Sequence, residues 1–290
     1  MTKLVLLLLS CVTFAMTQTT DWQPIEGTFH KHGEVEGEVL KFSFPRTDLK
    51  VNIGNIPIDP RLALTSWIAF KSSGEQMVMM GDLVLLQSEV VPVMWNLVPQ
   101  RIQITALHNH LLGESPTVVC MHIEGTGNAA QLAKTMIAVL GSTGTPIMAS
   151  LGTDQSVKYD WSKIESILGW TGVNKGSVLQ FTIPRLETII QDTMYIPPSM
   201  GMTSRINFQI VGGKAALAGE LVLVAKEVNP VIKALTDNGI SVTAVHNHML
   251  SEFPRMFFLH FWAIDNPEPL ARGVKAAIDL TNAIKPIKPK

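Results

Sequence analysis

TALHNHLLGESPTVVCMH (Thr105–His122) holds three of the chain's eight histidines, and TAVHNHMLSEFPRMFFLH (Thr243–His260) repeats them at the same spacing. His108, His110, Glu114, Pro116 and His122 each recur 138 positions later, as His246, His248, Glu252, Pro254 and His260. The correspondence runs outward from there. Gly81-Asp82-Leu83-Val84-Leu85 answers Gly219-Glu220-Leu221-Val222-Leu223, and Phe42-Ser43-Phe44-Pro45-Arg46 answers Phe181-Thr182-Ile183-Pro184-Arg185. The chain is a tandem duplication. One unit falls near 21–140 and the other near 159–283, with a Gly/Ser/Thr-rich connection at 141–158.

Each unit carries the same order of elements. Val35–Phe44 and Ser177–Ile183 read as β-rich, Met77–Leu86 and Lys214–Val224 as strands, and Trp161–Leu168 has helical spacing. Pro92–Val98 and Pro230–Asn238 are expected to be helices with proline in the first turn and Glu89 or Glu227 capping the start. Strands follow at Ile102–His110 and Thr117–Ile123, and at Ser241–His248 and Arg255–Ala263. Helices at Ala129–Leu140 and Pro269–Leu280 close the units. The class is α+β, with an antiparallel sheet and a ferredoxin-like β-α-β-β-α segment in each unit.

Residues two apart on a strand share a face, so His108 and His110 project together. A hairpin centred on Pro116 would set His110 opposite His122, and Pro254 would pair His248 with His260 in the same way. Three imidazoles and a carboxylate suit a divalent transition metal, with zinc the default. His108, His110 and His122, and His246, His248 and His260, are therefore the expected ligands. Glu114 and Glu252 are candidates for a fourth ligand or for a general base in metal-assisted hydrolysis. The two sites could lie apart or face each other across a pseudo-twofold axis. A duplication also copies bland residues, so the competing reading is a non-catalytic extracellular module that binds a small molecule or protein, with structural histidines. Asp82 and Glu220 could orient a histidine. Arg46 and Arg185 could bind a substrate anion or pair internally with Asp48 or Glu187. His30-Lys31-His32 occurs in the first unit alone and reads as a solvated loop.

Net charge of −1 and 16% charged residues give no basic surface for nucleic acid. The N-terminus reads as a secretory signal peptide, residues 1–17, with Lys3 ahead of an apolar Leu4–Met16 segment too short to span a membrane. A weak lipidation signal at Cys11 is the lesser alternative. The expected location is extracellular. Cleavage would leave Cys120 as the sole cysteine, buried as a small hydrophobe.

The run from Phe42-Ser43-Phe44-Pro45-Arg46 through Gly81-Asp82-Leu83-Val84-Leu85 to Ala106-Leu107-His108-Asn109-His110 resembles the LppY/LpqO family. The likeness covers 21–283. It implies an exported protein or lipoprotein with a doubled domain, and brings no reaction and no set of catalytic residues.

Overall fold

The computed structural model describes residues 20–151 and 159–285. The expected leader at 1–17 and part of the connection, 152–158, lie outside the described residues. The protein is α+β and built from two similar units, each with a six-stranded sheet. In the first sheet, β1 (Glu34–Glu36), β2 (Val39–Pro45), β3 (Thr65–Ser73) and β4 (Gln76–Leu86) form a meander. β5 (Gln103–His108) is the far edge, and β6 (Val118–Gly127) lies between it and β4. β6 is antiparallel to both neighbours, so β4 and β5 are parallel, and helix α2 (Gln87–Leu97) makes the crossover. Helices α1 (Gln23–Phe29) and α3 (Ala129–Gly141) complete the unit.

The second sheet repeats this order with β7 (Val173–Lys175), β8 (Val178–Pro184), β9 (Thr203–Val211) and β10 (Lys214–Val224), then β12 (Met256–Asp265) and the edge strand β11 (Ser241–His246). Its helices are α4 (Ser162–Leu168), α5 (Ala225–Asp237) and α6 (Pro267–Ile278).

Strand alternation explains the layering. On β4, Met77, Met79, Leu83 and Leu85 face one way and pack with Leu132, Met136 and Val139 of α3. The intervening residues, Met80 and Val84, face the other unit: Met80 packs with Met202, Val222 and Phe258, and Val84 with Val178, Ala216 and Trp262. On β12, Leu259 and Phe261 point to the helices and Met256 and Phe258 to the first unit. Each sheet is thus covered on both faces, helices outside and the other sheet inside. That is why these strands read as nearly continuous apolar runs.

Three expectations need correction. The strand expected over Val35–Phe44 breaks into the β1–β2 hairpin at Gly37, whose φ of +62° is left-handed and suits glycine. The helices expected from Pro92 and Pro230 begin earlier, at Gln87 and Ala225, and hold the prolines inside. Glu89 and Glu227 fix these starts, accepting from the Leu86 amide at 2.8 Å and the Val224 amide at 3.0 Å. The hairpin register also differs: Ala106, not His110, faces His122, and His108 faces Cys120. Residues 109–117 are not a tight turn, because Glu114–Ser115 leaves to pair with Asn52–Ile53 in a separate small sheet. The shift of register is four residues, an even number, so the histidines keep their face.

Candidate metal centre

That face is the one turned toward the other unit. Across the first sheet, Ser43, Trp67, Asp82, His122 and Ala106 stand opposite one another from strand to strand. Across the second, Thr182, Arg205, Glu220, His260 and Ala244 form the matching row. Each sheet therefore delivers one carboxylate and one histidine side by side, and the ends of β5 and β11 add His108, His110, His246 and His248. The hydroxyls of Thr105 and Thr243 hold these ends across the interface. Thr105 donates to the His248 carbonyl at 2.6 Å and Thr243 to the His110 carbonyl at 2.8 Å.

The six imidazoles of the two motifs form a single cluster. Ring centroids lie 3.6 Å apart for His108 and His246, 3.8 Å for His122 and His248, and 4.2 Å for His110 and His260. All three close pairs join one unit to the other. Ligand atoms of His122, Glu220, His246 and His248 lie within 4.8 Å of one another, as do those of His108, His110 and His260. Asp82 stands beside the second set, its Oδ2 3.3 Å from His110 Nε2, and its ligand atom groups with those of His110 and Cys120. Both groupings could hold a metal ion. They differ from the expected trios, since each takes its two closely spaced histidines from one unit and its third from the other.

Hydrogen bonding constrains the ring nitrogens. His110 Nδ1 lies 3.0 Å from the Ala63 carbonyl, which can only accept, so Nδ1 carries the proton. The Nε2 that faces Asp82 then holds either a second proton or a cation. His246 Nδ1, 3.2 Å from the Asn247 carbonyl, likewise carries its ring's proton. Buried and without a hydrogen-bond partner among the described residues are Nε2 of His110, His122, His246 and His260, Nδ1 of His248, and both nitrogens of His108. Each such atom costs about 1–3 kcal/mol when left unmatched.

Electrostatics favour neutral rings beside charged carboxylates. Burial, reinforced by the adjacent imidazoles, pushes His108 and His246 far below the usual histidine range, and His122 down to about 3. His260 moves the same way. His110 is the exception: burial opposes its charge, but the Asp82 carboxylate beside it raises its pKa. Burial would raise Asp82 and Glu220, yet His122 beside the first and His248 beside the second hold both well below the carboxylate range. Neutral nitrogen donors around two buried anions make a site suited to divalent cations.

The walls differ between the halves. Phe258 stacks on His248, with centroids 3.3 Å apart and planes at 7°. Its repeat counterpart is Cys120, buried against His110, with its thiol pushed up by burial to about 11.

Other residues singled out by the sequence stand elsewhere. Glu114 accepts from the Val118 amide at 3.3 Å, and Glu252 accepts from the Met256 amide at 2.8 Å and pairs with Arg255. Neither glutamate is among the clustered ligand atoms. Asp82 lies 3.3 Å from His110 and Glu220 3.1 Å from His248, each beside a histidine that it could orient. Arg46 is fully buried, bonded to Asp48, Glu89 and the Val84 carbonyl, and Arg185 repeats this with Glu187, Glu227 and Val222. Both are engaged by the protein's own carboxylates and do not line the cavity described next. His30 and His32 are exposed, and His32 lies 3.3 Å from Glu26.

A cavity of about 920 Å³ opens between the sheets and reaches His110, His122, His248, His260, Asp82 and Glu220. His108 and His246 lie behind them. The cluster is thus accessible from one side, in a space large enough for a small organic molecule.

Fold and site together define a duplicated α+β domain with a histidine–carboxylate cluster at the contact of its two halves. The chain belongs to the family described as Domain of Unknown Function (DUF1259), whose pattern it matches twice, over residues 23–142 and 162–280. A search of curated proteins returned no match. Among solved structures it is similar to one described as a trimeric bacterial microcompartment shell protein PduB, at 10% identity and a TM-score of 0.21, over 86% of this chain and 93% of that one. Among the described residues no helix is long and apolar enough to cross a membrane.

Proposed function

We propose that the protein binds two divalent transition-metal ions in a paired centre between its units. One ion would take His122, Glu220, His246 and His248, and the other His108, His110, His260 and Asp82. The observation that carries this reading is the set of buried, unpartnered imidazole nitrogens around two buried carboxylates. A bound cation satisfies both at once. Zinc is the default for such donors, with copper, nickel, manganese or iron compatible.

Metal ions here would supply Lewis acidity and an activated water for hydrolysis. The cavity gives a substrate access, and Asp82 and Glu220 replace Glu114 and Glu252 as the carboxylates that ligate or accept a proton. The leader-like N-terminus and the likeness to LppY/LpqO proteins support an exported protein.

The test is elemental analysis of the full chain purified without a histidine tag, followed by chelation and melting. Near two ions per chain and a chelator-induced fall in Tm are expected. Absent metal, with no thermal response to added zinc, would overturn the reading and favour a ligand-binding module lined by histidines. Turnover of generic ester, amide or phosphoester substrates, lost in His110→Ala, would establish the hydrolase.

A further inference from the structure

Among the cationic side chains that line the cavity beside the histidines, Arg205 and Lys41 stand out. Arg205 stands on β9 directly opposite Glu220, half-buried and lining the cavity. Among the described residues its guanidinium forms no hydrogen bond or ion pair, with Glu220 turned instead to His248 at 3.1 Å and His260 at 3.2 Å. Lys41 on β2 also lines the cavity and is 9% exposed. Its ammonium sits 4.4 Å over the Trp67 ring and donates to the Ser199 carbonyl at 3.2 Å, and among the described residues no carboxylate is in ion-pair contact with it.

These two cations sense each other. Burial, and then the charge of Arg205, lower the Lys41 pKa well below its ordinary value, while Glu36 and Glu34 at the cavity mouth offset this and Lys175 adds to it. Sheltered positive charges without a matched anion are unfavourable on their own. The repeat shows that the fold does not require them. The positions equivalent to Arg205 and Lys41 carry Trp67, which lies beneath Lys41, and Gln180. Neither charge is kept by the repeat, although the scaffold around the cavity is.

We propose that the cavity binds an oxyanion, a carboxylate or a phosphate carried by the substrate, between Arg205 and Lys41. Neighbouring strands are about 5 Å apart, which sets Arg205 roughly 5 Å from the Glu220 column and about 10 Å from that of His260. A ligand gripped there holds its next few atoms toward the histidine cluster. On the metal-centre reading above, on which this second clause rests, the substrate is a small anionic ester or amide whose scissile group lies one short spacer from its charge. Trp67 supplies a flat apolar wall.

The test is calorimetric titration of the tag-free full chain, metal-loaded and chelated, with inorganic phosphate and with succinate. Wild type should bind at least one of the two, and which one separates phosphate from carboxylate. Arg205→Gln and Lys41→Gln should each weaken binding by about 10- to 100-fold, the worth of a charge-assisted hydrogen bond. Arg205→Lys, which keeps the charge and loses the planar fork, should fall between. Metal content should equal that of wild type in all three, and unchanged circular dichroism checks their folding. If neither anion binds, or if affinity ignores both substitutions, the proposal is overturned. Binding that depends on Arg205 in a protein that takes up no metal even when zinc is supplied would sink the metal centre and leave this site standing.

Discussion

The crossing of ligands between units can be tested with His122→Ala. If each unit held its own ion, removing His122 would strip the site built on His108 and His110. The observed grouping says otherwise: His122 belongs with Glu220, His246 and His248, and its ring stacks on His248 at 3.8 Å. Four-ligand zinc sites are worth about 10–16 kcal/mol in apparent binding free energy at neutral pH. A quarter of that is about 3 kcal/mol, or roughly 100-fold in affinity. The variant should bind one ion as wild type does and the other about 100-fold more weakly. Cobalt titration followed by visible absorption would resolve the two steps. His122→Ala combined with His248→Ala should weaken that one site further, to roughly 10,000-fold by the same reckoning, and leave the other ion bound as in wild type. His122→Ala combined with His108→Ala should weaken both sites. The opposite pattern, with His122 and His108 weakening one site together and His248 the other, would refute the crossed arrangement.

Four further outcomes follow from the geometry. Arg46→Met strands Glu89 and Asp48 around a fully buried position, which should cost about 3–5 kcal/mol, read as a fall in melting temperature with metal content intact. Glu252→Ala removes the acceptor of the Met256 amide and should lower stability by about 1–3 kcal/mol while both ions stay, whereas Glu220→Ala should release one. Thr105→Val and Thr243→Val each delete one hydrogen bond between the units, a loss of about 1 kcal/mol apiece in denaturant melts. Gly81→Ala would set a Cβ 2.8 Å from the Trp67 carbonyl oxygen in mid-strand, costing about 1–3 kcal/mol by overpacking in the same measurement.

Much of this fold is legible in the sequence because repetition doubles the signal. Lys214–Val224 emerges as a strand with its expected bounds, and Ala129–Leu140 as a helix within one residue of the observed Ala129–Gly141. Proline misled, since Pro92 and Pro230 mark the middle of their helices rather than the start. The histidine face was legible from period-two spacing, which survives any even shift of register. The partner of that face was not. Both faces of β4 and β12 are apolar, so periodicity alone could not say which side met helices and which met the other sheet. Glu114 and Glu252 drew attention by lying within the repeated motif, yet their carboxylates serve amides four residues on. Asp82 and Glu220 lie far from the motif in sequence, and strand pairing brings them beside His122 and His260. Arg205 carried no repeat signal, because its counterpart is Trp67.

The borrowing of one imidazole by each donor set binds the two halves to a common fate. A half released by cleavage in the connection would own an incomplete set and could recover it only by meeting a second fragment. Covalent fusion turns that encounter into an intramolecular one. It also frees the copies to drift apart where symmetry no longer serves, as they have at Cys120 and Phe258.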